Sequence, residues 1–332
     1  MNRPAYLQHV VCETNEAWHE AFLPGLFDTK PGLWRPAATQ AKDFMLMGSS
    51  LLADRGVVKV IGGEAEAFLH RLVTNNVLAI QLGEARYAAL LTPQGKLMFD
   101  FLVVPVAGGP EPAFYLDCPA PQVQDLAKRL NLHKLRAKIT IEDLSATLGV
   151  AAFWGEAPPD LAGTLYTDPR APGLGSRLIA SHEALAKITD ANDEAYEAHR
   201  ISLGVAKGGV DFPYGDTFIH DANLDLLHGV DFKKGCYVGQ EVVARVHYRK
   251  SARKRIVTIH FEGAAPAPGT EILAEEMVLG HVGSSAGSTG LAMLRLDRLE
   301  DARAKGATLI AGGAKIDVTL PAELLETAGG AG

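Results

Sequence analysis

The chain of 332 residues carries a formal net charge of -7, with 47% apolar and 21% charged residues. It is longer than one ordinary domain and long enough to bury a large core without disulfides or a structural metal. The acidic balance excludes general nucleic-acid binding and leaves room only for a local basic patch. The three cysteines, Cys12, Cys118 and Cys236, are odd in number and widely spaced. They make neither a disulfide framework nor a C-x-x-C metal pair, which fits a reducing, cytoplasmic setting. Residues 1–44 hold four Lys/Arg against five acids and no long apolar run, unlike a transit peptide or a secretory signal. No apolar run of about 18 residues occurs, so no membrane-spanning helix is expected.

Residues 1–42 are rich in breakers (Pro4, Pro24, Gly25, Pro31, Gly32, Pro36) and read as an irregular N-terminal arm. LLADRGVVKVIG, from Leu51, reads as two short strands around a turn. GEAEAFLHRLVTNNV places Ala65, Phe68, Leu69, Leu72 and Val73 on one face of an amphipathic helix. YAALL and LMFDFLVVPV, joined by TPQGK, read as a hairpin, and AFYLDC as a further strand. PQVQDLAKRLNLHKL has helical spacing and opens with a proline, tolerated in a first helical turn. KITIEDLSATLGVAAFW returns to strand, and residues 155–177, rich in Pro, Gly and Asp, read as a loop. DEAYEAHRISLGV is a helix with acids at its start, ended near Gly204. The stretch 204–235 lacks periodicity, and long ordered loops of that kind often carry function. After Arg255, short β-runs such as RIVTIHF, GLAMLRL and KIDVTL predict a small β-barrel over 253–322, with a disordered tail at 323–332. The spacings suit an α+β fold better than a doubly wound parallel sheet.

No phosphate loop, H-E-x-x-H or G-x-S-x-G pattern occurs, and the histidines at 220 and 228 have no recognised ligand spacing. The segment KKGCYVGQEVVARVHYRK is the least ordinary. Residues 233–255 hold eight basic residues against one acid, Glu241, a local balance of +7. Either this is a solvated face near a domain joint, or it is an anion site, and a small carboxylate ligand suits it better than nucleic acid. Cys236 sits beside Lys234 among Gly235, Tyr237 and Gly239. Positive charge favours a nucleophilic thiolate, but a small buried residue in a tight turn and a metal ligand are alternatives. Asp100 is a lone carboxylate in the apolar run LMFDFLVV, placed either at an exposed edge or at a buried site. VVARVHYR alternates like a strand.

Together these residues resemble a known family. K-G-C-Y-V-G-Q-E, residues 234–241, is similar to the signature of the YgfZ proteins, relatives of the tetrahydrofolate-dependent aminomethyltransferase (T-protein) of glycine cleavage. The resemblance runs from about Leu51 through DRGVVKV, FLHRLVTN, TPQGKLMFD and Asp221–Leu224 to the barrel, and Met45 or Met47 is a candidate natural start. It implies a T-protein-like ring of subdomains around a folate channel: two interleaved α+β subdomains over 43–252, then the C-terminal β-barrel. By this resemblance Tyr87 and Asp100, thirteen residues apart, face the folate. Arg55 and Tyr196 fall where relatives hold it with aromatic residues, and Lys234, Gly235, Tyr237, Gly239, Gln240 and Arg245 complete the cofactor site. Ser202 stands where the T-protein has a folate-contacting glutamate, which counts against aminomethyl transfer. T-protein relatives begin a helix where VVARVHYR alternates.

The implied function is assembly or repair of iron–sulfur clusters in client proteins, including those supporting tRNA modification. Tetrahydrofolate or a one-carbon derivative is the cofactor, and Cys236 and Asp100 carry the chemistry. Cys236 becomes a thiol at the mouth of the folate channel, with metal ligation the least favoured reading. Aminomethyl transfer and a non-catalytic folate-binding scaffold are the alternatives. A monomer without direct nucleic-acid or membrane contact is expected.

Overall fold

The computed structural model describes residues 48–324, apart from 79, 156–157, 159–161 and 188–192. The arm at 1–42 and residues 325–332 of the tail lie outside the described residues. The described residues open with β1 (Gly48–Leu51) and β2 (Arg55–Ile61), then α1 (Ala65–Leu72), β3 (Arg86–Leu91), β4 (Leu97–Pro105) and β5 (Ala113–Pro119). A 3-10 turn (Ala120–Gln122) leads into α2 (Val123–Lys134), followed by β6 (Thr140–Asp143), β7 (Leu148–Trp154), β8 (Thr164–Thr167) and β9 (Ser176–Ser181). Then come α3 (His182–Leu185), α4 (Asp193–Ser202) and α5 (Gln240–Arg249).

Two antiparallel sheets result, ordered β3-β4-β5-β2-β6 and β1-β7-β9-β8. From β1 the path runs from the four-stranded sheet into the five-stranded one and back. The two strands of LLADRGVVKVIG therefore do not pair with each other: β1 pairs with β7, and β2 with β5 and β6. The expected hairpin is formed by β3 and β4, in register Ala89↔Asp100. β4 lies between β3 and β5, so Asp100 is on an interior strand and not at an exposed edge. One face of this sheet packs on α1 and α2 through Phe68, Leu69, Phe101, Val103, Leu126 and Leu130. The other packs through Tyr87, Leu102 and Val104 against Trp154, Tyr196 and Leu224.

α1 buries Ala65, Phe68, Leu69 and Leu72, the face its spacing predicts. α4 has Asp193 and Glu194 in its first turn and His199 and Arg200 in its last, matched to the helix dipole, and Gly204 follows at φ +70°. The reading of 155–177 as loop is corrected by β8. Its four residues TLYT are β-prone, and they pair with β9 despite the surrounding Gly and Pro. The alternating VVARVHYR is helical. Gly239 at φ +82° starts α5 and Lys250 at φ +48° ends it, and Val242 packs over Gly95, where an added Cβ would lie 3.0 Å away.

The C-terminal part is β10 (Lys254–Phe261), β11 (Glu271–Ala274), β12 (Met277–Ala286), β13 (Thr289–Arg295), α6 (Leu296–Ala304), β14 (Leu309–Ala311) and β15 (Ala314–Thr319). Its six strands close into a barrel in the order β10-β13-β12-β11-β14-β15. Val257, Ile259, Ile272, Leu279 and Ile316 fill it, with Leu299 and Ala302 of α6. Asp211 ties the barrel to the body: its Oδ1 accepts from the backbone N–H and Oγ of Ser284, both at 2.7 Å. Among the described residues, no helix is long and apolar enough to cross a membrane.

Candidate functional site

Asp117 of β5 is the centre of a buried polar cluster. Arg55 Nε donates to its Oδ1 at 2.6 Å, and Arg177 Nη1 and the Tyr166 hydroxyl donate to its Oδ2 at 2.6 and 2.8 Å. Arg55 Nη2 also donates to the Asp117 carbonyl. Arg177 Nη2 donates to the Tyr196 hydroxyl at 2.8 Å, and its Nε lies 2.9 Å from Asp168 Oδ2 as an ion pair off the hydrogen-bond line. Asp168 is gripped through both oxygens by Arg170. Burial alone would raise the Asp117 and Asp168 carboxyls, but the guanidiniums hold both below the usual carboxylate range.

Asp100, 5% exposed, lies beside this cluster. Tyr87 donates to its Oδ2 at 2.8 Å, and Tyr214, from the loop after α4, donates to its Oδ1. Burial first, and then Asp100 itself, push both phenols above their ordinary range, so they remain donors. Tyr214 fits because residue 208 is glycine: a Cβ there would meet the Tyr214 hydroxyl at 2.0 Å. A narrow cleft of about 40 Å³ is lined by Arg55, Asp100, Arg170, Arg177 and Tyr196. Its rim is ion-paired, with Lys207 Nζ 2.6 Å from Asp54 and 3.2 Å from Glu197.

Tyr87, Asp100, Arg55 and Tyr196 thus come together as the resemblance implies. Arg55 is fixed on Asp117 and forms a wall, and the Tyr196 ring leans on Trp154 at 5.7 Å. The other expected residues lie elsewhere, because the motif loop stands on the β3–β4 turn. A Cβ on Gly239 would lie 2.7 Å from the Thr92 carbonyl oxygen. None of Lys234, Gly235, Cys236, Tyr237, Gly239, Gln240 or Arg245 lines the Asp100 cleft.

Lys234, 7% exposed, is a structural residue and not a free cation for an anionic tail. Its Nζ donates to the carbonyls of His70, Val73 and Asn75 at 2.6, 2.5 and 2.9 Å. It also lies 5.3 Å from the centre of the buried Tyr237 ring. Arg245 pairs with Glu241 on the exposed side of α5, 3.2 Å away. Gly235 and Cys236 are exposed and Gln240 is half-buried. Cys236 is exposed and does not line the Asp100 cleft. Ser202 is exposed, donates to the His199 carbonyl, and lines a different pocket, between body and barrel.

Sequence reasoning missed Asp117, Arg177, Asp168, Arg170 and Tyr214. The signal that picked out Asp100, a lone charge in an apolar strand, is present in AFYLDC and in SRLIAS as well. The two described cysteines behave oppositely: Cys236 is exposed, whereas burial pushes the fully buried Cys118 thiol up to about 12. Iodoacetamide at neutral pH is expected to label Cys236 in the native protein and Cys118 only after unfolding. Peptide mapping of the adducts checks this, and native labelling of Cys118 would contradict the packing of β5.

The architecture is that of the aminomethyltransferase T-proteins. The structure aligns with the glycine cleavage system aminomethyltransferase T from Bartonella henselae at a TM-score of 0.67, over 84% of this chain and 87% of that one. At 15% identity that likeness concerns the fold alone. Residues 253–324 match the family model "CAF17, C-terminal beta-barrel domain". The mouse protein named "Iron-sulfur cluster assembly factor IBA57, mitochondrial" is 30% identical over 312 residues, covering 80% of this chain and 87% of that protein. Its human counterpart is 30% identical over 279 residues, covering 75% and 78%. A relative from Mycosarcoma maydis is 36% identical over 234 residues, covering 66% of this chain. The chain belongs to the IBA57 family of iron–sulfur cluster assembly factors, and the resemblance to YgfZ is that of the wider superfamily. It spans 58% and 55% of the lengths of the Mycosarcoma maydis and Neurospora crassa relatives. The expected cytoplasmic placement is overturned, since these relatives are named mitochondrial proteins.

Proposed function

We propose that this chain assists assembly or repair of iron–sulfur clusters in client enzymes, and that it binds tetrahydrofolate or a one-carbon derivative in the Asp100 cleft. Family membership supports the first half. The second rests on one observation: a buried carboxylate lines a cleft together with Arg55, Arg170 and Arg177, while Asp54 and Glu197 in the same cleft are paired with Lys207. The edge of a pterin carries both N–H donors and a carbonyl acceptor, so an acceptor beside cationic donors fits it. Tyr87 and Tyr214 take one lone pair on each Asp100 oxygen and orient it. A carboxylate offers about four such sites, so two remain for a ligand.

Cys236 acts on the partner side, outside the cleft. A single thiol cannot hold a cluster, which takes about four protein ligands, so its contact with a cluster is transient and shared. Aminomethyl transfer is the weaker reading, because Ser202 brings no carboxylate and faces another pocket. Titration with tetrahydrofolate is expected to show saturable binding that weakens at least about tenfold in Asp100→Ala. No binding by the natural chain removes the ligand half. Cys236→Ser is expected to keep the folate and fail to restore client activity in a deletion strain. Full restoration would remove the thiol's role.

A further inference from the structure

The basic run that looked like a site for a ligand's carboxylates lies outside the Asp100 cleft, and the proposed folate chemistry leaves it unexplained. It spans α5, the turn after it and the first residues of β10. In α5, Val243 is buried and Val242, Ala244, Val246 and His247 are half-buried, so one side packs on the body while Glu241, Arg245, Tyr248 and Arg249 are exposed. Tyr248 is 75% exposed. Lys233, Arg249, Lys250, Arg253 and Lys254 are all exposed, and none forms an ion pair with another described residue.

Lys254 also stands directly opposite Arg295 across β10 and β13. Like charges in that position repel. Asp297 offsets Arg295 at 2.5 Å, while Lys254 forms no ion pair and acts only at longer range on the Asp221 carboxyl. Beside them is a hollow on the barrel wall lined by Lys254, Gly280, His281, Met293, Arg295 and Arg298, and no carboxylate lines it. Arg298 is anchored through Nη1 to the Val278 carbonyl.

We propose that this face docks a protein partner through an acidic segment, with one Asp or Glu side chain entering the hollow between Lys254, Arg295 and Arg298. Tyr and Arg are the residues enriched at the centres of protein interfaces. A membrane would need apolar side chains turned outward, and here Val242 and Val243 are turned to the body. A single-stranded nucleic acid is held by several stacking aromatics, and Tyr248 is the one exposed ring on α5. The inference deepens the cluster-assembly reading, on which it rests for the partner being a client or carrier of clusters.

The test uses the full chain and the double variant Arg249→Glu/Lys254→Glu, titrated into a fluorescein-labelled peptide of alternating glutamate, glycine and tyrosine. Anisotropy is read at about 50 and about 200 mM salt. A single-stranded oligonucleotide and phosphatidylserine vesicles serve as the other arms. The natural chain is expected to bind the peptide, more weakly at the higher salt, and the variant about tenfold more weakly with its Tm unchanged. In a deletion strain the variant is expected to bind tetrahydrofolate normally yet fail to restore cluster-enzyme activity. Equal peptide binding by both proteins, or tighter binding of the oligonucleotide or the vesicles, overturns the docking surface. Failure of the natural chain to restore the enzymes instead overturns the assembly reading, whatever the peptide result.

Discussion

Asp117→Ala is expected to destabilise the protein by at least about 3–5 kcal/mol, the usual loss when one partner of a buried ion pair is removed. Folded domains have only about 5–15 kcal/mol in hand, so much of the chain would fail to fold. Asp117 is fully buried and accepts from two guanidiniums and one phenol. Without it, Arg55 and Arg177 keep their charge in a site closed to water, and Tyr166 loses its acceptor. Asp117→Asn is the milder probe, since it keeps the volume and one acceptor. Urea unfolding followed by circular dichroism checks both, and a loss below about 1 kcal/mol for the alanine variant would contradict the cluster.

The same cluster sets an acid limit. Asp117, Asp168, Asp54 and Glu197 all have folded-state values below their ordinary ones: burial opposes this, and the neighbouring Arg and Lys side chains outweigh it. The unfolded chain therefore binds more protons than the folded one in the acid range, and stability rises with pH there. The contribution is complete above the unfolded values of about 4 and is lost as pH falls through the lower folded ones. Urea midpoints should stay level from pH 6 to about 5 and then fall towards pH 3, and Asp117→Asn should flatten that fall.

Lys234→Met is the second large effect, expected at about 2–3 kcal/mol. The substitution keeps an apolar stem but leaves three carbonyls, one in the last turn of α1 and two just after it, without their donor. Burial pushes the Lys234 ammonium down to about 8, and the three carbonyls act the other way by favouring the charged form. The loop carrying Cys236 would lose its anchor, so iodoacetamide labelling of Cys236 should change along with Tm. Tetrahydrofolate affinity should not, because Lys234 does not line the Asp100 cleft. A large fall in folate affinity at unchanged Tm would restore Lys234 to the ligand site.

Legibility followed the range of the interactions. The α1 face, the β3–β4 hairpin and the closed barrel were readable because their patterns are local, repeating every two or three to four residues. The octapeptide Lys234–Glu241 pointed to the right superfamily for the same reason. Yet its backbone roles, with Gly239 seated on the Thr92 turn and Lys234 on α1, were hidden, since those contacts join residues far apart in the chain. Alternation misled in VVARVHYR, where a left-handed glycine and one buried valine select a helix.

By itself, then, the sequence determined the α+β class, the barrel and the excess of positive charge at 233–255, and its family resemblance singled out Tyr87 and Asp100. Only the tertiary structure decided that these belong to two places. Arg55 and Arg177 reach Asp117 across 62 and 60 residues, closing a polar cleft around Asp100. The glycine-anchored loop, meanwhile, holds Cys236 and α5 on the outside. No periodicity encodes that separation, because it depends on which buried charges find partners once the sheets have packed.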